Sequence, residues 1–320
     1  MPLTTWVLAR PNDVGLRVLE PPPDGVRFVV GWEPSDFDGA PEPDALLDCW
    51  GGTHRLDALL AKAGGLRWIH ARSAGLDRVL TEAVVAHPAV VTNGRGAFSG
   101  ALAEFVVAAL LHFAKDVPRL LDAQRRAAWE PFEMGALAGQ TIGIVGYGDI
   151  GRAVAARLKP FGTRIVALRR RPEESSGDPL VDETLSADRV VDLAARADAV
   201  VLATPLTAST RGLYGREAID AMKATAVLVN VGRGPALDEA ALVGALAAGR
   251  IRGAALDVFE AEPLPPTSPL WSLPNVLLSP HCADNVPGWV EGAMHVFLRN
   301  LERFRAGEPF PHVVDKRRGY

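Results

Sequence analysis

Thr141-Ile142-Gly143-Ile144-Val145-Gly146-Tyr147-Gly148-Asp149-Ile150-Gly151 is the stretch on which the reading of this chain turns. A short apolar run, Thr141–Val145, passes directly into a Gly-x-Gly-x-x-Gly turn, and Ile150–Phe161 continues with helical spacing. Gly146 permits the tight turn, Gly148 lets a pyrophosphate approach the backbone, and Gly151 allows the helix to pack closely on the strand. The helix start adds free N–H groups and a positive dipole end. A glycine-rich turn without a ligand is the alternative. The strand before it and the helix after it favour a dinucleotide cradle built from Gly146, Tyr147, Gly148, Asp149 and Ile150.

Downstream, the alternation is regular. Strands are expected at Thr163–Leu168, Ala199–Ala203, Ala226–Val231, Gly253–Val258 and Val276–Leu278, with helices at Arg189–Ala197, Arg216–Lys223 and Asp238–Ala248. With Thr141–Val145 these make six strands, which right-handed crossovers wind into a doubly wound parallel sheet. Upstream, short apolar strands (Trp6–Ala9, Val26–Trp32, Ala45–Trp50, Leu66–His70, Val90–Thr92) and a helix at His54–Ala63 suggest a second, smaller parallel α/β unit. Ala101–Leu121 reads as one long helix leading out of it, with a new unit beginning near residue 102. After Pro280 a single amphipathic stretch, Trp289–Arg305, cannot bury its apolar face alone and must dock on one of the units.

Composition narrows the function. The 320 residues give a prior of about two domains. Hydrophobic residues at 48% and charged residues at 22% are globular values, which excludes disorder as the main state. A net charge of -4 gives no global attraction to nucleic acid or anionic membranes, so any anion site is local. Two cysteines, Cys49 and Cys282, are too few for a disulfide framework or a cysteine-rich zinc site. The seven histidines show no metal-ligand spacing, so no metal is expected. No signal peptide or membrane span is read, and a cytoplasmic location is expected.

The second strand of the large unit ends in Leu168-Arg169-Arg170-Arg171. A NAD site usually carries an acidic residue there to bind the ribose 2′-hydroxyl. Arg169, with Arg170 beside it, can instead grip a 2′-phosphate, so NADP(H) is preferred over NAD(H). A solvated basic turn stays open as the alternative, since Glu173 and Glu174 follow closely.

Three further segments each end a strand on the edge where such sheets bind ligands: Val229–Gly234, Leu256–Pro265 and Leu278–His281. Together with Thr204-Pro205-Leu206-Thr207, Thr210–Leu213 and Leu237–Leu242, they resemble the D-isomer-specific 2-hydroxyacid dehydrogenases over nearly the whole chain. That resemblance implies a Rossmann cofactor domain at 102–285 inserted into a smaller flavodoxin-like substrate domain, 1–101 with 286–320, on which Trp289–Arg305 docks. It implies a catalytic set of Arg233, Glu262 and His281, with Glu262 chosen over Glu260 by its spacing from Asp257. Thr204, Pro205, Val231 and Gly232 line the cofactor, and Asp257 orients the nicotinamide through its carboxamide. Ala74 and Gly75, in the turn Ser73–Asp77, offer N–H groups to a substrate carboxylate.

The mechanism then follows chemically. Arg233 binds the carboxylate and polarises the carbonyl of a 2-oxo acid, and His281 supplies the proton as hydride arrives at C2. A carboxylate at Glu262 favours the imidazolium form of His281. The expected substrate is a small acid of the glyoxylate or hydroxypyruvate type. Family members are commonly homodimers through the cofactor domain, with the Ala101–Leu121 helix as a candidate contact. Trp50 is a candidate wall of the substrate site, equally readable as a core or interface residue. Cys282 is expected to be a small, buried pocket-lining residue. A phosphite-type dehydrogenase and a non-catalytic, dinucleotide-sensing corepressor are the competing functions; Glu262 argues against a formate enzyme, because the family's formate enzymes carry Gln there.

Overall fold

The computed structural model describes residues 2–50 and 53–320. The chain divides into two compact units, Met1–Phe98 with Val286–Tyr320, and Ser99–Asn285. The sequence reading put that division at 101/102; the chain leaves the first unit where a helix begins at Ser99.

In the first unit, β1 (Leu3–Leu8), β2 (Val26–Gly31), β3 (Ala45–Asp48), α1 (Thr53–Leu60), β4 (Trp68–Ala71), α2 (Glu82–Ala86) and β5 (Val90–Asn93) follow one another. The strands form one parallel sheet in the order β2-β1-β3-β4-β5, the flavodoxin-like order. Side chains alternate across the sheet as a two-residue period requires. Trp6 and Leu8 enter one cluster with Leu46, Leu56 and Ile69, while Val7 and Leu47 enter the other with Trp68. β3 stops at Asp48, two residues short of the expectation, and Trp50 is exposed, not part of a core.

The second unit holds α3 (Ser99–Ala114), α4 (Val117–Arg125), β6 (Thr141–Val145), α5 (Asp149–Leu158), β7 (Arg164–Leu168), β8 (Glu183–Leu185), α6 (Val190–Arg196) and β9 (Ala199–Leu202). Then come α7 (Arg216–Ala221), β10 (Val227–Asn230), α8 (Glu239–Ala247), β11 (Gly253–Leu256) and β12 (Val276–Leu278). Its parallel sheet runs β12-β11-β10-β9-β6-β7-β8. The order reverses between β6 and β9, which is the Rossmann switch point. Seven strands stand where six were expected. β8 is a three-residue edge strand paired only with β7 and only partly buried, so it lacks an apolar signature.

The expected single helix 101–121 is two. Asp116 takes a left-handed conformation (φ 48°) and Pro118 cannot continue the α3 hydrogen-bond ladder. α3 buries Leu102, Val106, Leu110 and Phe113, whereas α4 buries no residue.

The last helix, α9 (Trp289–Ala306), belongs to the first unit. Phe297 and Leu301 sit in the cluster on the β1–β3 sheet, and Phe297 stacks on Trp68 with ring centroids 5.4 Å apart. Among the described residues no helix is long and apolar enough to cross a membrane.

Candidate active site

The last residues of five neighbouring strands, Val145, Leu202, Asn230, Leu256 and Leu278, lie in one register row across the large sheet. Strands lie about 4.8 Å apart, so the row spans about 19 Å. Every candidate of the second unit except Arg169 and Arg170 follows this row: the glycine turn after β6, Thr204-Pro205 after β9, Gly232-Arg233 after β10, Asp257 to Glu262 after β11 and His281 after β12. The sheet turns five separate sequence motifs into one edge.

At the switch point Gly146 has φ +95°, a conformation costly for residues with a Cβ. A Cβ on Gly151 would lie 2.4 Å from the Gly146 carbonyl oxygen, so this glycine permits helix against strand. Gly148 is different: nothing lies within 4 Å of where its Cβ would be, leaving room for a ligand at the backbone. The N–H groups of Tyr147, Gly148, Asp149 and Ile150 donate to no protein acceptor among the described residues. Open space and unpartnered donors at a helix start fit a dinucleotide pyrophosphate. The Tyr147 ring is buried and its hydroxyl donates to Asp178 Oδ2 (3.1 Å), leaving the backbone as its ligand-facing part. Burial and the Asp178 charge push the Tyr147 phenol up. The Asp149 carboxylate accepts from Ser99 Oγ.

Arg169, just after β7, is half-buried, donating to Ser175 Oγ at 2.8 Å and pairing with Glu174, which also pairs with Arg171. Glu174 therefore folds back on the arginine. Arg170 is exposed.

Glycines also shape the centre of the edge. A Cβ on Gly232 would fall 2.7 Å from the Thr204 carbonyl oxygen, and one on Gly234 would fall 1.9 Å from Phe259 backbone atoms. The two glycines flanking Arg233 thus draw the β9, β10 and β11 loops together. Asn230 Oδ1 accepts the Gly232 N–H (3.0 Å) and its Nδ2 donates to the Arg233 carbonyl (3.3 Å). Arg233 Nη1 donates to the Gly232 carbonyl at 2.9 Å. Val231 and Thr204 are buried, and Pro205 is exposed.

Asp257, almost wholly buried, gathers the segment around His281. Its Oδ1 accepts from Ser279 Oγ (2.6 Å) and from the Cys282 and Ala283 N–H groups (2.9 and 3.0 Å); its carbonyl accepts the His281 N–H (2.9 Å). Within that wrap His281 takes φ +52° and places Nδ1 2.8 Å from Glu262 Oε2. Glu262 Oε1 in turn accepts the Phe259 N–H at 3.0 Å. A carboxylate can only accept, so Nδ1 carries the hydrogen and Nε2 is free for proton exchange. Both side chains are partly exposed, at 41% and 25%.

Cys282 is exposed, contrary to the expected burial, because the same wrap turns it outward; its Sγ lies 3.4 Å from Ser279 Oγ. Two positions were not singled out from sequence. Asn230 staples the arginine loop. Asp284 is raised above the ordinary carboxylate range by burial and by the Asp257 charge, while His281 and Arg233 pull it back, which places it among the charged groups of the site. Asn230 was visible only as one letter of a motif, and Asp284 had no signal short of burial.

The remaining candidates lie in the first unit. Ala74 and Gly75 follow β4, in a turn closed by Ser73 Oγ to the Gly75 carbonyl (2.8 Å) and by Asn93 Nδ2 to the Ala74 carbonyl (2.7 Å). Their own N–H groups donate to no protein acceptor among the described residues. The Trp50 indole N–H donates to Asp13 Oδ2 at 3.0 Å.

Comparison with known proteins gives the family. Residues 107–283 match the model of the "D-isomer specific 2-hydroxyacid dehydrogenase, NAD binding domain" family. The chain is 37% identical to a glyoxylate reductase of Thermococcus gammatolerans, covering 82% of this chain and 81% of that protein. It is 35% identical to a D-3-phosphoglycerate dehydrogenase of Methanocaldococcus jannaschii, over 82% of this chain but only 50% of that protein's length. A solved structure, the NADPH-dependent glyoxylate/hydroxypyruvate reductase of Sinorhizobium meliloti in complex with NADP and sulfate, superposes with a TM-score of 0.84 at 26% identity, covering 100% of this chain and 99% of that one. By motif, topology and overall similarity, this chain belongs to the D-isomer-specific 2-hydroxyacid dehydrogenases, NAD(P)-dependent oxidoreductases.

Proposed function

We propose that this enzyme reduces a small 2-oxo acid of the glyoxylate or hydroxypyruvate type to the D-2-hydroxy acid, with NADP(H) preferred over NAD(H). The observation that carries the reading is the 2.8 Å contact of His281 Nδ1 with Glu262. It joins a histidine to a carboxylate on the same strand-end edge that carries Arg233 and the glycine turn. The second unit holds the cofactor; in the first, the open N–H groups of the Ala74–Gly75 turn suit a carboxylate.

The bound nicotinamide supplies the hydride. His281 gives its Nε2 proton to the carbonyl oxygen as charge develops there, and Glu262 orients the ring through Nδ1. Arg233 offers a planar fork to the carboxylate and carbonyl. Asp257 keeps the His281 loop in place and has Oδ2 available, without a donor among the described residues, for the carboxamide. Arg169 supports the NADP(H) preference; a 2′-phosphate would take the position Glu174 now holds on it.

Homologues named glyoxylate reductase support the substrate class. We also place a homodimer contact on α4 and the segment after it, where Leu120, Leu121, Trp129 and Met134 are exposed. The two free cysteines suit a reducing, cytoplasmic setting.

Initial rates over a panel of 2-oxo acids, with NADPH and NADH side by side, test the reading. Glyoxylate and hydroxypyruvate turn over faster with NADPH, and His281→Ala lowers kcat by about a hundredfold or more while NADPH still binds. Retained turnover in that variant overturns the assignment.

A further inference from the structure

The C-terminal edge of the five-stranded sheet carries a group that the proposed chemistry does not use. Arg10 follows β1, Trp32 follows β2 and Trp50 follows β3, three neighbouring strands whose ends Leu8, Gly31 and Asp48 pair in register. The Arg10 guanidinium lies over both indoles, 5.3 Å from the Trp32 centroid and 4.4 Å from that of Trp50.

Two other arginines at this edge are neutralised. Arg55, also over Trp32, pairs with Glu33 at 2.7 Å. Arg72, near Trp50, is paired at 2.7 Å with Asp13, both side chains almost wholly buried. Arg10 is exposed and makes no ion pair among the described residues.

The platform is rigid where it matters. Asp13 Oδ1 is held by Arg72 and by the Gly15 N–H (2.9 Å), and its Oδ2 fixes the Trp50 indole. Burial pushes the Asp13 carboxyl up, but Arg72, Gly15 and Trp50 more than offset this, so it remains ionised at neutral pH. Its charge is thereby committed to Arg72. Two indoles lie against the Arg10 guanidinium, which limits its freedom and preorganises it for an anion.

The Ala74–Gly75 turn follows β4 on the same edge. Two strand spacings, about 10 Å, separate the ends of β1 and β4. A long arginine side chain and a four- or five-carbon diacid close such a gap.

We infer that Arg10, seated on Trp32 and Trp50, is a second anion subsite that selects 2-oxo acids bearing a further carboxylate or phosphate away from the reacting carbonyl. This rests on the 2-oxo acid reading above. The guanidinium fork accepts either anion in the same bidentate way.

The test compares kcat/KM for glyoxylate, oxaloacetate, 2-oxoglutarate and 3-phosphohydroxypyruvate in the wild type, Arg10→Gln and Arg10→Lys. Arg10→Gln lowers the ratio of acidic substrate to glyoxylate by about ten- to a hundredfold, through KM more than kcat, and Arg10→Lys restores part of it. Which dianion loses more identifies the distal group. An unchanged ratio in Arg10→Gln overturns the subsite while leaving the 2-oxo acid reading intact. If the wild type reduces no 2-oxo acid, that reading fails, and calorimetry with succinate and with inorganic phosphate decides the subsite alone. Binding to the wild type that Arg10→Gln loses supports it; no binding, or equal binding, overturns it.

Discussion

His281 adopts a left-handed conformation that few residues with a Cβ tolerate, and it is held there because one carboxylate oxygen, Asp257 Oδ1, collects three donors from the surrounding segment. Such strain persists only where neighbours over-determine it, and here it aims the imidazole at Glu262. Arg233, Glu262 and His281 stood out in the sequence as strand-end residues, and the resemblance to the family named them as the proposed catalytic set. Asp284 was not, since a loop aspartate differs from a site aspartate only by what buries it. Its carboxyl is raised in the folded state above the ordinary value of 3.8, so folding opposes its ionisation. The stability it leaves intact is complete below that value and is lost as pH rises through the folded one. Asp284→Asn is therefore expected to melt above the wild type at pH 8, with the difference shrinking as the pH of the melts falls toward 4. A gap independent of pH would refute this.

Among the elements, the β10 loop shows how packing selects residues that a motif only lists by letter. Gly234 has Phe259 backbone atoms where a Cβ would go, and backbone cannot rotate away as a side chain can. Gly244, inside α8, has nothing within 4 Å. Urea denaturation is expected to find Gly234→Ala destabilised by about 2–4 kcal/mol and Gly244→Ala stabilised by about 0.5–1 kcal/mol. Equal effects would show that the close approach does not govern the loop. Other element boundaries escaped the sequence for related reasons. The α3–α4 break is an apolar run interrupted by one left-handed residue and a proline. β8 is too short and too polar to announce itself, and exists because β7 offers it an edge. The long strands of the large sheet were readable because both faces are buried, giving near-continuous apolar runs.

At the scale of the molecule, α4 buries nothing within its own chain, and a nine-residue helix is marginal in water without tertiary packing. Trp129, 95% exposed, lies just beyond it. Light scattering of the wild type is expected to give a dimer, and Leu121→Asp with Trp129→Ser a monomer; a monomeric wild type would refute the contact. The residues alone indicated two α/β units, marked the glycine turn as the place for a dinucleotide and singled out strand-end residues as candidates for the chemistry, because hydrophobic period and turn chemistry are local. Where α9 docks came only through family resemblance until the Phe297–Trp68 stack was seen. Tertiary structure alone decided the register row that aligns five loops, the wrap of Asp257 around His281, the Glu174 contact on Arg169 and the seating of Arg10 on two tryptophans. Each of these joins residues distant in sequence or depends on burial, and neither pairing between strands nor desolvation is written in any local pattern.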